Sequence, residues 1–119
     1  MSTFTEVQHQ ELMHECMEYE MGLNEWKEKI SELRDELYAF AAGKVNTEIK
    51  IGIEHFHNQF HIQQINIHDL IHEINSLINQ ANEHPEFRFK DQHHEIKTKF
   101  DSLIKSLRDI ESEFKSFTK

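Results

Sequence analysis

The chain has 119 residues, enough for one domain, with 22 acidic and 13 basic side chains and a net charge of -9. Three glycines, one proline and one cysteine exclude a disulfide-stapled scaffold, a cysteine-based zinc ribbon and a Pro/Gly-rich disordered chain. The acidic balance argues against nucleic acid, whose phosphates need Lys and Arg.

The first segment carries apolar residues at Leu12, Cys16, Tyr19, Leu23, Trp26, Ile30, Leu33, Leu37 and Phe40. The steps alternate four and three, the 3.5-residue repeat of a left-handed coiled coil. This predicts a helix over about residues 4–42, with Gly43 as the residue after its C-cap. Its acids outnumber its bases, giving residues 1–42 a net charge of -7.

A second helix is predicted over about residues 46–83. Asn46 or Thr47 can cap it, and Glu48 lies near its positive end. Ile53, Phe60, Ile67, Ile74 and Ala81 form one seam row, and Phe56, Gln63, Leu70 and Leu77 the other. Gln63 is the polar residue inside this seam, and Pro85 ends the helix.

A third helix is predicted over about residues 91–118, capped by Asp91. Ile96, Phe100, Leu103, Leu107, Ile110, Phe114 and Phe117 repeat the same step. The fold class is therefore all-α: an antiparallel three-helix, coiled-coil-like bundle with long helices, one domain over residues 1–119. Residues 85–119 carry a net charge of +1, so acid–lysine pairs are expected across the flanks of the first and third helices.

Glu54 to Gln63 reads EHFHNQFHIQ. With Trp26 and the run Glu32 to Phe40, it resembles a family of small uncharacterised all-helical proteins predicted from Bacteroidetes genomes. The resemblance implies an all-helical fold and carries no activity with it. The family pattern there is EHFQNQFIIQ, so His57 and His61 depart from it.

Ten histidines are the chemical signal. Glu11 with His14 and Glu54 with His57 have the Glu-x-x-His spacing of di-iron bundles. Their heptad positions point outward, which argues against such a site. His57, His61, His68 and His72 lie within an arc of roughly 60° on the second helix, as two i,i+4 pairs. That spacing lets two imidazoles reach one metal ion, but two ligands alone bind weakly. A polar flank that uses histidine is the simpler reading, with adventitious Zn or Ni binding as the alternative. His9, His84 and His93 are each in phase with a seam, and an up-down-up topology brings them to one end of the bundle. A half-solvated core layer that tolerates histidine is the simpler reading there; a metal site, with Glu6, Glu86 and His94 as further ligands, is the alternative.

Cys16 sits in the seam, where a buried thiol loses nucleophilicity. Met13, Met17 and Met21 step by four along the first helix, as partial core in preference to a contact surface.

No cofactor is expected. The preferred function is a non-enzymatic helical module for protein–protein interaction and self-association. The alternative is a histidine-rich metal-binding or pH-responsive bundle. Without an apolar run near the roughly 20 residues of a membrane span, or a basic stretch leading an apolar one at the N-terminus, a cytoplasmic, membrane-free location is expected. A homodimer is expected from helix lengths. The third helix should stop opposite residue 59, leaving the hairpin of residues 30–58 protruding with Leu33, Leu37, Phe40, Ile49, Ile53 and Phe56 uncovered; the alternative is that the linker PEFRFKD is long enough to shift the third helix along and cover the hairpin within one chain. Ile51, Ile62 and Ile65 lie off the main seam and should also be exposed. An unidentified second protein is the other candidate partner.

Overall fold

The computed structural model describes residues 3–83 and 90–119, with side chains from residue 10 onward. Three helices account for nearly all of them: α1 (Thr3–Ala41), α2 (Thr47–Glu83) and α3 (Lys90–Phe117). The predicted spans agree with these to within one residue at each end.

Local chemistry sets the ends. Gly43 adopts φ 79°, the left-handed conformation that a residue with a Cβ resists. The Lys44 N–H then donates to the Ala41 carbonyl at 3.1 Å, closing α1. Asn46 caps α2, its Oδ1 accepting the Ile49 N–H at 3.1 Å, and Glu48 lies in the first turn. Asp91 is not the cap of α3. The helix already includes Lys90, so Asp91 occupies the first turn, where a carboxylate still meets the positive helix end. Thr118 closes α3 by donating from its N–H and its hydroxyl to the Phe114 carbonyl.

The seams predicted from spacing form the core. Cys16, Leu23, Ile30, Leu33 and Leu37 of α1 are buried against Phe60, Ile67, Ile74 and Ala81 of α2 and Leu107 and Phe114 of α3. Leu12, Tyr19, Trp26, Phe100 and Leu103 are half-buried at its margin. Arg34 of α1 donates to Gln64 of α2 and to the Tyr38 hydroxyl. Lys99 of α3 pairs with Glu73 of α2 at 2.8 Å. Tyr19 stacks on Phe100 at 4.6 Å, and Phe40 meets Phe117 at 5.3 Å, so α1 and α3 run parallel and both oppose α2. The result is an up-down-up rod of 68 × 20 × 17 Å.

The expected protruding hairpin is a correction. Phe117 packs on Phe56 at 5.1 Å and on Phe40, and Phe114 packs edge-on against Phe56 and Phe60. Leu33, Leu37 and Phe56 are buried inside the single chain. Gly52 makes room for this placement. A Cβ there would overlap the Phe117 ring, so its absence lets the end of α3 settle about two turns past the expected level.

An acid–lysine pair does cross the α1–α3 flank, with the polarity opposite to that of an acidic first helix beside a lysine-bearing third. Between α1 and α3 the lysine comes from α1: Lys29 reaches Glu111 at 3.1 Å while lying over the Trp26 ring. The α3 position facing Lys29 is an acid, and Lys99 turns instead to α2.

Candidate functional site

The outer face of α2, turned away from α1 and α3, is the most distinctive surface of the described residues. From His55 to His68 the sequence contains no Asp, Glu, Lys or Arg, in a chain where 29% of residues are charged. Ile62 and Ile65 stand 46% and 47% exposed within that stretch, and Ile51 is 63% exposed one turn before it. These are β-branched hydrophobes at solvent positions, where polar residues are the rule for a bundle helix. The sequence expectation for these three residues is met.

His57, His61, His68 and His72 are all exposed on this helix. His57 lies at the α1 edge, its ring 6.4 Å from that of Tyr38. His72, only about 60° further round the same side of the helix, reaches the rim of an open groove between α2 and α3 with Glu73, Gln80, Glu95 and Lys99. A second open groove beside it is lined by Gln63, Asn66, Ser102 and Ser106. Neither is an enclosed pocket.

His93 is different. It is buried near the start of α3, with Nε2 2.9 Å from Glu15 Oε2 of α1 and the Tyr19 ring 5.9 Å away. The Glu15 oxygen is at ion-pair distance but off the line of a hydrogen bond, so Nε2 is a buried polar atom without a hydrogen-bond partner. Burial pushes its pKa below the ordinary value; Glu15 pulls it up, and Lys97 and His94 push it down. His84 and the side chain of His9 lie outside the described residues, so of that set only His93 is placed. Its pairing with Glu15 escaped the sequence reading, although Glu15 occupies a seam-flanking position next to Cys16.

The Glu-x-x-His pairs point outward, as their register requires: Glu11, His14, Glu54 and His57 are all exposed, and His14 pairs locally with Glu18 at 3.0 Å. Cys16 is fully buried, and burial, with Glu15 beside it, pushes its thiol pKa up to about 11. A thiol so protonated is no nucleophile. Of Met13, Met17 and Met21, the first packs on the core and the other two are exposed, so partial core describes one of these three.

Among the described residues of one chain, no three His, Cys, Asp or Glu side chains converge to hold a metal ion. Among the described helices, none is long and apolar enough to cross a membrane. No family model, curated protein or solved structure matches this chain. The functional reading therefore rests on the surface itself.

Proposed function

We propose that this chain is a non-enzymatic helical module that self-associates through the outer face of α2. The observation that carries the reading is the uncharged stretch of residues 55–68 with Ile62 and Ile65 exposed on it. Two chains of net charge -9 repel one another over most of their surface. The face without charge is where a second copy meets the least repulsion, and its isoleucines gain from leaving water. At about 25 cal/mol per Å² of apolar area, a few half-exposed isoleucines on each side supply several kcal/mol. A homodimer formed this way is isologous, each chain offering the same patch. An unidentified protein with an apolar helix is the other occupant this face would suit.

Sedimentation equilibrium at micromolar concentration in EDTA tests it. A dimer is expected, and Ile62→Glu with Ile65→Glu should return it to monomer with helicity unchanged, because both positions are solvent-facing in the single chain. A clean 14.3 kDa species for the parent chain overturns the proposal.

A further inference from the structure

The four exposed histidines of α2 have a symmetry that their i,i+4 spacing alone does not express. Positions 57, 61, 68 and 72 read the same in both directions about a point between residues 64 and 65. Along a helix that rises about 1.5 Å per residue, a reversed copy of α2 centred there sets position 57 level with 72, and 61 level with 68. The centre of that pairing falls beside Ile65, inside the uncharged, isoleucine-bearing stretch and toward its Asp69 end. A two-fold axis perpendicular to a pair of antiparallel helices leaves a given flank of one helix on the same side as the same flank of the other. The histidine flanks of two copies then lie side by side along one edge of the helix pair.

We propose that this surface is a divalent transition-metal site shared between two copies of the chain, each ion ligated by His57 and His61 of one copy and by His68 and His72 of the other. The inference rests on the self-association through α2 proposed above. Two such sites form per dimer, about 16 Å apart along the helices. Each i,i+4 pair chelates from one helix as the two histidines of a helical zinc motif do. Alone it supplies two of the four ligands that a closed tetrahedral Zn²⁺ shell takes, and the second copy supplies the others. This agrees with the lack of a converging ligand set within the described part of one chain. The ligands are neutral imidazoles, so each bound ion adds positive charge between two acidic chains and offsets part of their repulsion.

The test uses the full chain, freed of metal with EDTA, and zinc chloride as the probe. Calorimetry should give one Zn²⁺ per chain, and sedimentation equilibrium should show zinc tightening the dimer at least tenfold. Two variants then separate shared from local chelation: His57→Ala/His61→Ala and His68→Ala/His72→Ala, with His14→Ala as a control at an exposed histidine of α1. Each double variant alone should lose the tight site. An equimolar mixture should regain one tight site per mixed dimer, because one of the two sites again has four histidines. Two weak ions per chain with no change of mass, or double variants that each keep their binding and gain nothing on mixing, would overturn the proposal. A dimer that persists in EDTA but ignores zinc overturns the metal site alone. A monomer under both conditions overturns the self-association as well.

Discussion

Gln63 and His93 are the polar side chains buried among the described residues, and each carries a cost that an apolar residue would avoid. Gln63 sits in the α2 seam between Phe60 and Ile67. Its Oε1 receives only a long contact from the Asn66 amide at 3.5 Å, and one edge opens to the groove beside α3. A buried amide with so little satisfaction costs about 1–3 kcal/mol. Gln63→Leu is therefore expected to raise stability by about 1 kcal/mol in urea titrations. A loss would mean that the amide makes net favourable bonds, by way of the groove. His93 gives the chain a pH dependence with a definite sign. Burial holds the folded pKa below the ordinary value near 6.5, so the unfolded chain takes up the proton first as pH falls. The stability it contributes is complete above about 6.5 and drains away as pH falls from there through the folded pKa. Replacing it by leucine should flatten this part of the response. The fall in Tm between about pH 7.5 and about pH 5.5 should be smaller in His93→Leu than in the parent; equal falls would sink the idea.

At the level of the helices, Gly52 and Phe117 decide where α3 stops. A Cβ at position 52 meets the ring, and overpacking costs about 1–3 kcal/mol. Alanine also propagates a helix better than glycine by about 1 kcal/mol. The two effects separate by context: Gly52→Ala should destabilise the parent chain and stabilise a Phe117→Ala background. The same sign in both backgrounds would show that the ring simply swings aside. At the neighbouring layer, Phe114→Ala removes a fully buried ring from the cluster with Phe56 and Phe60 and should cost about 3–5 kcal/mol. This end of the bundle also marks the limit of what periodicity reveals. The 3.5-residue step located all three helices and their buried faces, because hydrophobic spacing follows directly from helix geometry. The axial slide of one helix along another follows instead from single close approaches. An isolated glycine inside a helical pattern was the available signal for it. The histidines divide in the same way. Their exposure on α2 was legible from heptad position, whereas the burial of His93 beside Glu15 depends on how α3 is placed against α1.

For the whole molecule, charge and shape set the behaviour in solution. A net charge of -9 opposes association, and its range is about 10 Å at 0.1 M salt, shorter as salt rises. If the uncharged α2 face is the contact, dimerisation in EDTA should strengthen severalfold between low and moderate ionic strength, as sedimentation at the two salt concentrations would reveal. Contact made by ion pairs would weaken instead. Net charge shrinks as pH falls toward the isoelectric point of about 5.5, so light scattering should also rise there. The 68 Å length, more than three times either width, has a practical consequence for all these measurements. Friction grows with elongation at constant mass, so the monomer diffuses slowly and leaves a gel-filtration column ahead of a sphere of equal weight. An early peak calibrated against globular standards would imitate a dimer. Its NMR relaxation would be anisotropic too, with amides along the helices reporting the slow end-over-end tumbling of the rod.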